Sequence, residues 1–226
     1  MSANTRTGTA TARRSFMARL AAGIGAGGAA LVAGTPLAAQ APKGFTPRRH
    51  AEDDWLDTLG TQHRFVFDTT TTPGFSSALR FANNFLNANQ SGYGLTDADS
   101  GVVLVARHFS TPYGYNDALW AKYGTTLAAF ANPGTPVAKA PVANPLSDTT
   151  TVDVVIGALI KRGAHLAVCG MATRFLAGQI AKATSGNADT IHAEIAANLV
   201  PNGHLVAAGI LAVNRAQERG YTLATA

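Results

Sequence analysis

His165-Leu166-Ala167-Val168-Cys169-Gly170 is a short apolar run that ends on a thiol and a glycine, and the residues after it change period. From Met171 to Lys182 the apolar positions Ala172, Phe175, Leu176 and Ile180 recur at helical spacing, so this stretch predicts a strand, a turn and a helix. Upstream, Gly101-Val102-Val103-Leu104-Val105-Ala106 has no polar interruption, the pattern of a strand buried on both faces. It runs into Arg107-His108-Phe109-Ser110-Thr111-Pro112, and a helical stretch follows through Asn116–Tyr123. Further out, His63-Arg64-Phe65-Val66-Phe67-Asp68 predicts a first strand that stops in Thr69–Thr72 and Pro73-Gly74. Phe75, Leu79, Ala82, Phe85 and Leu86 then mark a helix, and Val152–Lys161 has helical spacing with Gly163 as its stop. The tail predicts a brief strand at Leu199-Val200 or His204–Ala207, a helix from about Ala208 to Arg219, and a last strand at Tyr221-Thr222-Leu223. Strands alternating with helices imply βαβ units, so the expected fold is α/β, a three-layer α/β/α sandwich with a mainly parallel sheet of about five strands. Ligands in such sheets sit beyond the carboxyl ends of the strands, where the chain order reverses. Asp68 and Thr69, Arg107 and His108, and Cys169 and Gly170 all fall at strand ends.

The chain has 226 residues, 46% hydrophobic and 14% charged, with one cysteine, which excludes a disordered polymer, a disulfide-stapled scaffold and a cysteine-rich zinc module. The formal charge of +5 points to an acidic partner until the charges are placed. Of the 18 Lys and Arg residues, four (Arg6, Arg13, Arg14, Arg19) lie in residues 1–41, which hold no acid, leaving 14 basic against 13 acidic side chains. A near-neutral remainder gives no polyanion-binding surface, so nucleic acid is not an expected partner.

Residues 1–41 resemble a bacterial twin-arginine signal peptide: Arg13-Arg14-Ser15-Phe16-Met17, a Gly/Ala-rich apolar run from Leu20 to Ala33, then small residues to Ala41. Cleavage fits after Ala39 or Ala41. The resemblance implies the twin-arginine export machinery as a partner and a periplasmic or secreted location. The apolar run is shorter than the ~20 residues that span a bilayer, so no permanent membrane anchor is expected. Gly23, Gly25 and Gly28 match a dinucleotide fingerprint but follow no strand, so they carry no phosphate-binding reading. Residues 42–62 read as a linker or an N-terminal flap, with a short helix at Ala51–Leu59 placing Trp55, Leu56 and Leu59 on one face. The domain proper spans 63–226 and carries a proline-rich insertion at 131–150, with Pro133, Pro136, Pro141 and Pro145. Such an insertion is a lid, an oligomer contact or a surface excursion.

Cys169 is expected at a helix N-terminus, where unpaired N–H groups and the helix dipole favour an anion such as a thiolate. Gly170 would let a substrate approach the backbone. A lone cysteine is otherwise among the most buried residue types, and that reading stands beside the first. Ala164-His165-Leu166-Ala167-Val168-Cys169-Gly170-Met171-Ala172, then Leu199-Val200-Pro201-Asn202-Gly203, then Arg215-Ala216-Gln217-Glu218-Arg219-Gly220-Tyr221 resemble the DsrE/DsrF family of sulfur-relay proteins. The resemblance covers roughly residues 62–225. It implies a three-layer α/β fold, homo- or hetero-oligomers with a homo-oligomer expected here, sulfur donor and acceptor thiols or proteins as partners, and a cysteine, matched here by Cys169, that accepts sulfur as a persulfide. No cofactor is required.

His108 is a candidate proton acceptor or ion partner for the thiolate, and Arg107 and Arg174 are candidate partners for an anionic persulfide or acidic ligand. The bland alternatives are a loop-bonded histidine and ordinary surface ion pairs. Asp68 reads as a cap, and Tyr113, Tyr115, Asn116, Asp117 and Trp120 read as core packing with an N-cap at Asn116 or Asp117, or as a pocket lining. His63, His108, His165 and His204 lie near strands without metal-ligand spacing, so no metal is expected. Gly-x-Ser-x-Gly is absent, which removes the esterase signature. The sequence therefore reads as an exported protein carrying sulfane sulfur on Cys169, a carrier more than a turnover enzyme. The alternative is a non-catalytic small-ligand-binding or assembly module with a buried, inert Cys169.

Overall fold

His63–Thr69 (β1), Ser100–Ala106 (β2), His165–Cys169 (β3), Gly203–Val206 (β4) and Thr222–Thr225 (β5) form one sheet, all pairs parallel, in the order β4-β3-β2-β1-β5. The computed structural model describes residues 44, 46–147, 150 and 152–226. Residues 1–41, where the sequence leads one to expect a twin-arginine signal, lie outside the described residues, and everything below concerns the unit Pro47–Ala226. Every residue of β2 is buried, as its uninterrupted apolar run requires of a central strand.

The helices are Thr72–Tyr93 (α1), Asp117–Ala131 (α2), Ile156–Lys161 (α3), Gly170–Thr184 (α4), Ala188–Ala196 (α5) and Gly209–Gln217 (α6). The chain steps from β1 through β4 in one direction, then returns past β1 to β5. Right-handed crossovers put connections made in opposite directions on opposite faces of a sheet. Accordingly Phe67, Leu104, Leu166 and Val168 pack with side chains of α1 to α5, while Val66, Val103, Val105 and Ala167 pack with α6. The three-layer α/β/α sandwich is thus the observed fold.

Local chemistry fixes the element ends. Thr71 accepts from the Gly74 N–H at 3.1 Å with Pro73 in the first turn of α1, and Gly94 closes that helix at φ 68°. Asn116 caps α2 through Leu119 N–H at 3.2 Å.

Several boundaries differ from the sequence reading. Of the two readings of residues 42–62, the stretch Ala51–Thr58 takes the flap, as a 3-10 helix: Leu56 and Leu59 enter the α6-side core, and the Tyr221 hydroxyl donates to Leu56 O at 2.7 Å. Its carboxylates meet arginines of α6 and the residues just after it, Asp53 with Arg215 at 3.6 Å and Asp57 with Arg219 at 3.1 Å. Helix α3 starts at Ile156 and not at Val152, and α5 has no counterpart in the periodicity reading. Within the proline-rich insertion, Asn144 is buried and its amide donates to the carbonyls of Tyr113 and Tyr115 at 2.9 and 3.0 Å, while Leu146 joins the core. That end of the insertion is anchored and not a loose excursion. Among the described residues no helix is long and apolar enough to cross a membrane.

Candidate functional site at the carboxyl rim of the sheet

Cys169 closes β3 and caps α4, with φ −67° and ψ 110°. Its side chain makes no capping hydrogen bond and the residue is 8% exposed. Parallel register pairs Ala106 with Val168, so Arg107 leaves β2 beside Cys169. The Arg107 guanidinium is fixed from the other side by Asp68 at the end of β1, Nε to Oδ1 at 2.7 Å and Nη2 to Oδ2 at 2.8 Å. Two parallel bonds set its plane as well as its position. The Asp68 hydrogen bonds raise the Arg107 pKa above its ordinary value, and the charges of Asp68 and Cys169 add to the effect against the cost of burial. Asp68 is therefore the anchor of Arg107, which corrects its reading as a cap. Arg107 itself is three-quarters buried, not an ordinary surface ion-pair member.

Two glycines make room for this arrangement. A Cβ on Gly170 would lie 2.6 Å from Val206 O, and one on Gly209 would lie 2.5 Å from Arg107 Cβ. Ser110 Oγ accepts the Arg107 N–H at 3.0 Å and sits 2.9 Å from Thr69 Oγ1, which ties the ends of β1 and β2 together. Behind the thiol, Tyr115 is fully buried with its hydroxyl 2.9 Å from Thr173 Oγ1. Burial raises its phenol above the usual range, and the charge of Cys169 adds to that.

His108 stands apart from this group. It takes the left-handed conformation at φ 53°, is exposed, and stacks on Phe109 at 3.8 Å. Among the described residues no hydrogen bond or ion pair joins it to Cys169. Arg174 is exposed and pairs with Asp189 at 2.5 Å. Together with Gly170, Met171 and His192 it lines a hollow of about 450 Å³ that reaches Leu205, Val206 and Ala207. The rim thus brings Cys169 to Arg107, and Gly170 to Arg174, in two adjoining groups; Cys169 does not itself line the hollow. The chain-order reversal lies elsewhere, between β1 and β5, where Ala226 O comes within 2.3 Å of a Cβ built on Gly74.

Periodicity alone missed two features. Asp68 and Arg107 end adjacent parallel strands, and that common position was the available signal for their pairing. On the α6 side, Trp55 stacks on His204 at 3.9 Å, and His204 Nε2 lies 2.8 Å from His165 Nδ1. Among the described residues no three His, Cys, Asp or Glu side chains cluster as a metal site.

No protein-family model, no curated protein and no solved structure matches this chain.

Proposed function

We propose that the protein is an exported sulfur-handling protein that carries sulfane sulfur on Cys169, as the resemblance to DsrE/DsrF proteins implies. The observation that carries the reading is the Arg107 guanidinium, held by Asp68 and electrostatically coupled to Cys169. A fixed cation there is a counter-ion for the anionic persulfide that the exchange forms.

The Cys169 thiolate attacks the outer sulfur of a donor hydropersulfide, RSSH. The RS–S bond breaks, its electron pair leaves with RS⁻, and Cys169 becomes Cys–S–SH. An acceptor thiolate reverses the exchange and regenerates the Cys169 thiolate. Sulfur moves without net oxidation, so neither step needs a metal or redox cofactor.

A second reading has its own support: Cys169 is 8% exposed and outside the hollow beside Gly170, as befits an inert core thiol next to a small-ligand site. Intact-mass analysis after incubation with a glutathione persulfide donor separates the two. The carrier reading expects the gain of one sulfur atom, reversed by free thiol and lost in Cys169→Ser. An unchanged mass, with Cys169 alkylated by iodoacetamide only after unfolding, establishes the second reading instead.

A further inference from the structure

Alternate residues of a strand share a face, so His165 of β3 and His204 of β4 lie on the α6 side of the sheet, with Ala167 and Val206. Their rings are within 11° of parallel with centroids 5.1 Å apart, yet His165 Nδ1 lies only 2.8 Å from His204 Nε2. The two imidazoles therefore lie edge to edge and share one hydrogen between their facing nitrogens. Trp55 of the flap lies parallel to both, 3.9 Å from His204 and 6.0 Å from His165. Its buried indole N–H has no hydrogen-bond partner among the described residues, so the hold of Trp55 on the sheet is the stack and not a hydrogen bond.

The pair tolerates one added proton and not two. The first goes to an outward nitrogen, His165 Nε2 or His204 Nδ1, and leaves the shared hydrogen in place, while the indole face attracts a single cation. The second puts an N–H on both facing nitrogens, which makes two donors without an acceptor at 2.8 Å between two positive rings. The rings must then part, and the surface on which Trp55 rests is lost.

The charged groups of the elements packed on this face are engaged elsewhere. Asp53 of the flap meets Arg215 of α6, which also holds Glu218. Asp54 and Asp57 of the flap meet Arg219, and Arg64 of β1 adds to Asp57. Glu52 faces a hollow of about 390 Å³ that the flap walls together with Leu205, Leu211 and Arg215. Asp68, Arg107 and Cys169 lie at the carboxyl rim, the opposite end of the strands from His165. No carboxylate steadies a charged pair: burial and the charge of His165 lower His204 to about 4, and burial lowers His165.

We propose that the histidine pair is a proton-operated latch: when both rings take a proton, the flap Ala51–Thr58 lifts from the sheet while the rest of the fold stays closed, and the hollow beside Glu52 loses that wall. The proposal does not depend on the chemistry of Cys169.

Hydrogen exchange, corrected for the intrinsic rate at each pH, tests the latch on the Trp55 to Thr58 amides and on those of β2. From pH 7 to pH 4.5 the protection of the flap is expected to fall at least ~10-fold, because released rings bind protons that the closed pair refuses. The flap amides are expected to exchange through an opening that urea hardly promotes, whereas those of β2 follow global unfolding. His204→Gln keeps a side-chain hydrogen bond to His165 and cannot titrate, and most of the fall is expected to vanish in it. Should that variant fail to fold, His204→Phe gives the same reading. Three results overturn the proposal: no fall in the parent, flap amides that share the urea dependence of β2 and so leave only with the whole fold, or an undiminished fall in the variant, which places the acid release in the Asp–Arg pairs.

Discussion

The Arg107 guanidinium meets the Asp68 carboxylate at 2.7 and 2.8 Å, and the acid side chain is 7% exposed. Arg107→Gln leaves that carboxylate buried without its cation and is expected to cost about 2–4 kcal/mol in a urea melt. It also removes the charge facing Cys169, so alkylation of the native protein by iodoacetamide at pH 7 is expected to slow. Adding Asp68→Asn removes the stranded charge and recovers most of the stability, but alkylation stays slow. Recovery of both confines Arg107 to a structural role. The neighbouring glycines allow a second comparison. Gly170→Ala drives a methyl against Val206 O and is expected to cost about 1–3 kcal/mol. Gly178→Ala, within the same helix and with nothing within 4 Å of the added atom, is expected to stabilise by about 0.5–1 kcal/mol. Thermal melts of the two variants check the contrast.

At the scale of elements, the flap Ala51–Thr58 rests its Trp55 on a neutral histidine pair. Burial, and then the charge of His165, lowers the His204 pKa from 6.5 to about 4, and burial lowers His165 as well. Between pH 6.5 and about 4 the unfolded chain binds the proton that folded His204 refuses. The neutral pair therefore contributes fully above that window, and its contribution is lost as pH falls through it. His204→Phe keeps a ring against Trp55 but cannot titrate, so its urea midpoint is expected to fall less between pH 7 and pH 5 than that of the parent. An equal fall in both places the acid sensitivity elsewhere. The flap also marks a limit of sequence reading. Trp55, Leu56 and Leu59 were visible as one apolar face, whereas the docking depends on Asp53 and Asp57 finding Arg215 and Arg219 far along the chain. Helix α5 was hidden for a similar reason: only Ile191 and Ile195 are buried, too short a stripe to set a period.

For the molecule as a whole, the alternation of strands and helices was legible because β2 and β3 are continuous apolar runs and each is followed by a change to helical spacing, whereas the strand order came only from the structure. The candidate site was half legible: Cys169, Gly170 and Arg107 were placed by strand ends, while the Asp68 anchor required knowing which strands are neighbours. The insertion at 131–150 was the least legible, since its prolines announce only the absence of a regular element and its attachment is tertiary. Asn144 is 1% exposed and bonds two main-chain carbonyls of the turn before α2, whereas Pro133 to Pro136 and Ala138 to Ala140 are exposed. The loop is thus free at its middle and tied at its end. Trypsin is expected to cut the native protein after Lys139, in that exposed stretch, with the two pieces remaining associated through the shared sheet. Asn144→Ala removes both carbonyl bonds and leaves those oxygens buried, a loss of about 1–3 kcal/mol that should also loosen Leu146 from the core. Cleavage after Lys139 is then expected to accelerate and to be followed by separation of the pieces on gel filtration. If Asn144→Ala leaves both the melt and the digestion unchanged, the attachment runs through Leu146 packing alone and the amide bonds contribute nothing net.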